Sequence, residues 1–373
     1  MKILHVVGAR PNFMKIAPIM REMAKYPEQF EQILVHTGQH YDENMSQVFF
    51  EELGMPRPDV NLEVGSGSHA QQTALIMQRF EPVLLDYQPD WVFVPGDVNS
   101  TIACALVAIK LGIKVAHVES GLRSFDRAMP EEINRVLTDH LADLLFTTEP
   151  SGYENLRQEG ISPEKIHFVG NTMIDSLVHL LPKAEKYWSG LQERLGLEQY
   201  VLVTLHRPSN VDDPETLQEI MAALLEISRQ TPVIFPVHPR TRQRIAGLDL
   251  DGLQSSNNFQ VDAEGSHMQL IEPLGYLDFL ALQVHASLVL TDSGGVQEET
   301  TYLGIPCLTV RPNTERPITL TQGTNRLVVS RRDALLQAVR EVKMSQSTSK
   351  SVPKLWDGQA AQRVINRLQH EKV

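Results

Sequence analysis

Three carboxylates stand where acid/base chemistry would want them. Asp97 follows the apolar run from Trp91, Glu119 follows the run from Ile113, and Glu131 follows Met129-Pro130. Carboxylates on opposite sides of one carbon can take a proton from one face and return it to the other. A second group of residues suits an anion. Arg10 stands in the turn Gly8-Ala9-Arg10-Pro11, with Lys15 one turn further on. A solvated helix start is the plainer account of these two cations. A cation at a helix N-terminus opposes the helix dipole, however, and an anion between them would supply a reason. Asp292-Ser293-Gly294-Gly295 precedes a helical pattern that carries Glu298 and Glu299. Ser293 as a cap with free amides behind it suits phosphate, and a glutamate one turn in suits ribose hydroxyls. The glycines could instead serve close helix packing. His206-Arg207 and His238-Pro239-Arg240 end two more strand patterns, and the loop Arg311 to Arg316 brings two further cations.

The elements that must position these residues read as α/β. Trp91 to Val94 is a short apolar run, the mark of a strand buried on both faces. Ser100 to Leu111 has helical spacing, Gly112 stops it, and Ile113 to Val118 is a second buried strand. The two strands should therefore be parallel with a right-handed crossover, and Asp97 and Glu119 should emerge at one carboxyl edge. In open α/β sheets that edge binds ligands. Asp97 could merely cap its helix and Glu119 could be a solvated strand end; two at one edge, followed by Glu131, favour function. Pro130 with Glu131 and Glu132 is also an ordinary helix start.

Around this unit, Lys2 to Val7 is a strand and Asn12 to Lys25 a helix that Pro18 is expected to kink. Gly-Ala-Arg-Pro-Asn-Phe stands where a dinucleotide fold would carry G-x-G-x-x-G, which speaks against NAD or FAD. Gln32 to His36 is a strand, Thr37 to Tyr41 a polar loop, Arg57 to Ser68 a loop and Ala70 to Tyr87 a helix. The loop Ser120 to Pro130 carries Arg123 and Arg127. Asp143 to Thr148 and Ile166 to Val169 are strands, and Gly170-Asn171-Thr172 closes a first domain, 1–171. A polar stretch, Leu181 to Tyr200, bridges to a second, 172–352. Its strands are Tyr200 to Leu205, Pro232 to Val237, Ser287 to Thr291 and Ile305 to Val310. Its helices are Pro214 to Arg229, Leu274 to Gln283 and Arg331 to Met344. Ser345 to Ser351 is a linker, and Pro353 to His370 a last amphipathic helix. The fold class is two Rossmann-like, doubly wound parallel-sheet α/β domains presenting their strand ends to a shared cleft.

Composition narrows the partners. The chain has 373 residues, and its net charge of -12 argues against nucleic acid. No apolar run approaches the roughly 20 residues of a membrane span, and the N-terminus enters a strand directly, without a signal peptide. Cys104 and Cys307 both lie in apolar segments and read as buried thiols in a reducing cytoplasm. No Cys/His cluster has zinc spacing, so no metal is expected.

The ordered motifs Gly8-Ala9-Arg10-Pro11-Asn12-Phe13-Met14-Lys15, His36-Thr37-Gly38-Gln39-His40-Tyr41, Pro95-Gly96-Asp97-Val98-Asn99-Ser100-Thr101, His117-Val118-Glu119-Ser120-Gly121-Leu122-Arg123, Met129-Pro130-Glu131-Glu132-Ile133-Asn134-Arg135, Thr204-Leu205-His206-Arg207 and Thr291-Asp292-Ser293-Gly294-Gly295-Val296-Gln297-Glu298-Glu299 resemble the non-hydrolysing UDP-N-acetylglucosamine 2-epimerases. The resemblance runs nearly the whole chain. It implies a fold similar to GT-B glycosyltransferases, with the C-terminal helix (353–373) packing back on the first domain. The implied reaction interconverts UDP-N-acetylglucosamine and UDP-N-acetylmannosamine, by elimination of UDP to a 2-acetamidoglucal and re-addition. Asp97, Glu119, Glu131 and His206 match the family's catalytic residues. Arg10, Lys15, Arg123, His238, Ser293, Gly294, Gly295, Glu299 and Arg316 match its UDP-sugar contacts. Gln39, Glu132, Arg207 and His238 match parts of a second, activating UDP-sugar site. Here the chain departs from the family, reading Arg207-Pro208-Ser209-Asn210 where members often read Arg-Arg-Glu-Asn. No cofactor is needed, because nothing is oxidised overall, and relatives imply a homodimer. Two alternatives stay open: a 2-epimerase of a UDP-2,3-diacetamido-uronic acid, and a GT-B glycosyltransferase using the same UDP cradle.

Overall fold

The computed structural model describes residues 1–38, 50–196, 198–248, 260–261, 267–344 and 351–371. The chain divides into two compact units, Met1–Leu180 with Lys354–Val373, and Leu181–Pro353.

The first unit is built on seven strands: β1 (Lys2–Val7), β2 (Glu31–His36), β3 (Val60–Asn61), β4 (Trp91–Pro95), β5 (Lys114–Ser120), β6 (Leu144–Thr147) and β7 (Ile166–Phe168). Their order is β3-β2-β1-β4-β5-β6-β7, and every pair is parallel. β4 is buried at all its positions, which is why its sequence runs apolar without alternation. Helices His69–Tyr87 and Asn99–Lys110 cover one face, packing Ile76, Phe80, Ala103 and Cys104 on Leu4, Val6, Val92 and Val94. The helix after β1, Arg10–Met23, runs through Pro18. Asn12 ties its start to the sheet: Oδ1 accepts from the amides of Gly8 and Ala9 at 3.1 and 3.0 Å, and Nδ2 donates to the carbonyl of Pro95 at 3.1 Å.

The second unit repeats the plan. Its strands are β8 (Val201–Thr204), β9 (Val233–Pro236), β10 (Gln260–Val261), β11 (Met268–Ile271), β12 (Leu288–Thr291), β13 (Cys307–Val310) and β14 (Asn325–Val328), in the order β10-β11-β9-β8-β12-β13-β14. All pairs are parallel except β10 with β11. Among the described residues, the α-helices starting at Pro130, Pro150, Pro208, Pro214, Pro239 and Pro317 open on a proline. Its fixed φ suits a first turn, and its missing N–H is one that a helix start leaves unpaired anyway. The bridging stretch is helical, as part of Thr172–Leu195, and the division between units falls inside that helix.

The last helix is shorter than the sequence suggests, Ala360–Leu368 instead of Pro353 to His370. Gly358 takes φ +77, and Trp356 is buried with Nε1 donating to the carbonyl of Thr148 at 2.9 Å. Asp175 then caps the helix, accepting from the amides of Ala360 and Ala361 at 3.1 and 2.7 Å. The helix packs on Arg10–Met23, within the first unit. Cys104 and Cys307 are buried free thiols. Among the described residues, no helix is long and apolar enough to cross a membrane.

Candidate active site

In each unit the winding reverses between two adjacent strands, and in doubly wound sheets the crevice beyond that point takes the ligand. In the first unit the two strands are β1 and β4, which deliver Gly8-Ala9-Arg10 and Gly96-Asp97 to one edge. β5 adds Glu119 beside them. Lys15 is buried on helix Arg10–Met23, and its Nζ donates to Glu119 Oε1 at 2.8 Å; the two side chains are 4% and 3% exposed. Gly96 makes room for this pair. It has φ +64, and a Cβ on it would lie 2.8 Å from Lys15 Nζ. Arg135, from helix Pro130–Leu141, reaches Asp97 Oδ2 with Nη2 at 2.6 Å and Glu132 Oε2 with Nη1 at 3.0 Å. Asn134 Nδ2 donates to the carbonyl of Asp97 at 2.9 Å. Asp97 and Glu119 are thus each held by a buried cation at one edge. Glu131 is half-buried in the first turn of the same helix and forms no ion pair among the described residues. Such an edge can exchange protons with a carbon acid placed against it.

In the second unit the reversal lies between β8 and β12, whose ends lead into His206-Arg207 and Asp292-Ser293. Asp292 is fully buried. Its carboxylate accepts from the amides of His206 and Arg207, at 3.1 and 2.9 Å, and from Asn210 Nδ2 at 3.0 Å. His206 Nδ1 lies 3.0 Å from Asp292 Oδ1, while the histidine side chain is 61% exposed. The aspartate therefore fixes Nδ1 as the donor and leaves Nε2 facing outward, the orientation a working histidine needs. Burial alone would raise the Asp292 carboxyl; the hydrogen bonds and charge of His206, with the Arg207 amide and Asn210, hold it below the usual carboxylate range. Helix Gly294–Leu303 starts at Ser293, whose side chain makes no cap hydrogen bond, and its first turn holds no acid. Amides of a first turn have no partner within the helix, so this one presents donors. Beside it lie three arginines. Arg316 Nε is 2.9 Å from Glu298 Oε1, and its Nη1 also meets Glu315. Arg311 Nη2 is 2.7 Å from Glu315 Oε2, and Arg207 donates from Nε to the carbonyl of Asp292 at 3.0 Å. Burial, then the neighbouring Arg311, lowers Arg207 below the usual arginine range. Glu299 is buried and its Oε1 accepts from the hydroxyl of Tyr276 at 2.8 Å.

Several residues sit otherwise than their sequence context suggests. Lys15 is committed to Glu119, so the cation nearest Arg10 serves a carboxylate. Arg123 belongs to the framework: Nε and Nη2 donate to Glu159 at 2.8 and 2.7 Å, and Nη1 meets Asp139 Oδ2 at 2.7 Å. Glu132 holds the loop before its helix, taking the amide and hydroxyl of Ser124 and the amide of Phe125, all at 2.9 Å. His238 is exposed and caps helix Pro239–Ala246, its Nδ1 accepting from the Arg240 amide at 3.3 Å. Gln39 lies outside the described residues. Arg135, Asp292, Asn210 and Glu315 carry the two edges without having been singled out from the sequence. For Arg135 a signal existed: it stands three residues after Glu132, on the same helix face.

The sequence model of the family described as UDP-N-acetylglucosamine 2-epimerase matches residues 21–369. The UDP-N-acetylglucosamine 2-epimerase of Methanococcus maripaludis is 43% identical over 376 residues, covering 100% of this chain and 99% of that protein. The UDP-2,3-diacetamido-2,3-dideoxy-D-glucuronate 2-epimerase of Pseudomonas aeruginosa is 43% identical over 343 residues, covering 91% of this chain and 92% of its own. The crystal structure of Methanocaldococcus jannaschii UDP-GlcNAc 2-epimerase in complex with UDP-GlcNAc and UDP superposes with a TM-score of 0.89 at 42% identity, covering 100% of both chains.

Proposed function

The chain belongs to the UDP-N-acetylglucosamine 2-epimerase family, and from that premise we propose that it inverts C2 of UDP-N-acetylglucosamine to give UDP-N-acetylmannosamine. The observation that carries the reading is the pair of carboxylates at the first switch point, Asp97 on Arg135 and Glu119 on Lys15. The C2 proton is not next to a carbonyl and is a poor acid. Departure of UDP from C1 with its bonding electrons leaves an oxocarbenium-like centre, which acidifies C2. One carboxylate takes the proton and a 2-acetamidoglucal forms. A proton is returned to the opposite face, and the diphosphate oxygen re-adds at C1. Asp97, Glu119 and Glu131 share the acid/base work. The second edge takes the nucleotide: the amides at Gly294 and Gly295 with Arg316 receive the diphosphate, whose negative charge grows as the bond breaks. Glu299, positioned by Tyr276, accepts from the ribose hydroxyls. Arg10, half-buried at its helix start, adds a cation, and His206 offers Nε2 to the reacting groups. We place the enzyme in the cytoplasm, which its buried free thiols support, and as the homodimer that the family resemblance implies.

The test is incubation with UDP-N-acetylglucosamine in deuterated water, followed by NMR. Deuterium at C2 together with a UDP-N-acetylmannosamine signal is the expected result. UDP release without C2 exchange would point to hydrolysis or transfer, and exchange only with a UDP-2,3-diacetamido-uronic acid would move the enzyme to its uronate-acting relatives.

A further inference from the structure

Glu119 is backbone-strained. Its φ is +70, a left-handed conformation that costs a residue with a Cβ about 1–2 kcal/mol. It is also where β5 slips against β6: Val118 pairs with Phe146 and Ser120 with Thr147, and the register shifts between them. Such irregularities re-aim a side chain, and they persist only when the surroundings hold them. Asp139, buried on helix Pro130–Leu141, supplies the hold. Its Oδ1 lies 2.6 Å from His117 Nδ1, and its Oδ2 accepts from the amide of Gly121 at 3.1 Å. One carboxylate therefore grips the chain just before and just after Glu119. Gly121 itself has φ +80, and a Cβ there would lie 2.3 Å from the carbonyl of Gly152, so the tethered amide sits against a wall of backbone. The far nitrogen of His117, Nε2, is 2.7 Å from the carbonyl of Gly96, the residue before Asp97. Both groups facing the ring are acceptors, so both nitrogens must donate. Arg123, clamped by Glu159, closes the remaining side of Asp139 Oδ2.

We propose that Asp139, acting through His117 and the Gly121 amide, is the positioning residue of this epimerase, setting the aim of Glu119 and the turn that carries Asp97 with a single buried carboxylate. The proposal rests on the reading above that Glu119 and Asp97 are acid/base groups. Asp139 touches no reacting atom; it acts through the two strand ends that do.

The test is Asp139→Asn in the full-length protein. A misaimed group costs on the order of 10–100-fold in rate, so kcat for C2 exchange should fall by about that factor while KM for the UDP-sugar stays within about twofold. A spectroscopic readout accompanies it. In the wild type, ¹⁵N NMR should show a proton on each ring nitrogen of His117, and in Asp139→Asn the Nδ1 proton should be lost or move. Should the variant fail to fold, the wild-type spectrum still decides: a His117 ring with one bare nitrogen overturns the tether. An active wild type whose Asp139→Asn variant keeps its kcat overturns the positioning role alone. A wild type with no C2 exchange on any UDP-sugar overturns the functional reading, with the His117 spectrum unaffected.

Discussion

The two switch points share a topology and a construction principle, yet they are wired for different chemistry. Each hangs its loops on one buried aspartate whose carboxyl is held below the usual range: Asp139 against burial, by His117 and Arg123; Asp292 against burial, by His206, Arg207 and Asn210. In the first unit the aspartate stands behind the edge and grips a strained strand end, and the edge carries a pair of carboxylates, each with a cation at its back. In the second unit the aspartate is the strand end itself, and the edge carries a histidine ring, a helix N-terminus and arginines. The helix starts differ in the same sense. Pro130–Leu141 has Glu131 and Glu132 in its first turn, answering its dipole from within, while Gly294–Leu303 has no acid there and no side-chain cap from Ser293. On the proposed function, one fold thus supplies a proton-handling edge and an anion-holding edge, and the difference lies in a few residues beyond the strand ends.

The sharpest way to break this contrast is to remove the proposed acid/base groups. Asp97→Asn and Glu119→Gln should each lower kcat by about 10²–10⁴-fold while leaving UDP affinity within about threefold, read by C2 deuterium exchange and by calorimetric titration with UDP. If UDP affinity collapsed with kcat, the separation of roles between the edges would be wrong.

The reverse experiment acts on the second edge. Arg316→Ala removes a charge-assisted contact worth about 1.5–3 kcal/mol and should weaken UDP binding by roughly 10–100-fold. Part of that loss comes from Glu298, which would lose its contact with the Arg316 guanidinium, while Glu315 would keep Arg311. Arg316→Lys keeps the charge and loses the fork, so it should recover part of the affinity.

Asp292→Asn probes the construction principle itself. An amide cannot accept from the His206 and Arg207 amides and Asn210 at once, and a buried donor left unpaired costs about 1–3 kcal/mol. The pH dependence has a definite sign. A carboxyl held below its ordinary value of 3.8 adds stability that is fully present above that value and is lost as pH falls through its folded value. The gap in urea midpoint between wild type and Asp292→Asn should therefore be constant near neutrality and close below pH 3.8. Asp139→Asn should behave likewise, because its carboxyl is lowered from the same ordinary value. A gap that widened on acidification would show that one of these carboxyls is buried in its protonated form.

What the sequence made legible follows a physical line. The long apolar strands and periodic helices were readable because each repeats one period over enough residues to signal it, and the parallel unit from Trp91 to Val118 placed Asp97 and Glu119 at one edge without any further information. Val60–Asn61 and Gln260–Val261 are two residues each, too short to carry a pattern, and Asn325–Val328 opens on two polar residues, so no apolar run announces it. The roles of the cations were the least legible. Lys15, Arg123 and Arg316 read as candidate anion ligands because a sequence shows their charge but not their partners. In the structure Lys15 lies on Glu119, Arg123 on Asp139 and Glu159, and Arg316 on Glu298 and Glu315. Those partners come from as far as 104 positions along the chain, as with Lys15 and Glu119. The strain at Glu119 was likewise invisible, since nothing in His117-Val118-Glu119-Ser120 announces a left-handed residue where glycine would be usual.

The smallest effect tests how finely the second edge is tuned. Tyr276 comes from helix Tyr276–His285 and donates its hydroxyl to Glu299 Oε1, with both residues buried. If Glu299 receives ribose hydroxyls, this contact orients its carboxylate. Tyr276→Phe deletes one donor and keeps the ring, so packing is unchanged and only the aim of Glu299 relaxes. A single hydrogen bond is worth about 0.5–1.5 kcal/mol, so UDP affinity should fall by roughly 2–10-fold. The affinity for inorganic diphosphate, which has no ribose, should not change. Equal losses for both ligands would mean that Glu299 serves the phosphate side of the edge, and the nucleotide would have to be turned end for end in this half of the molecule.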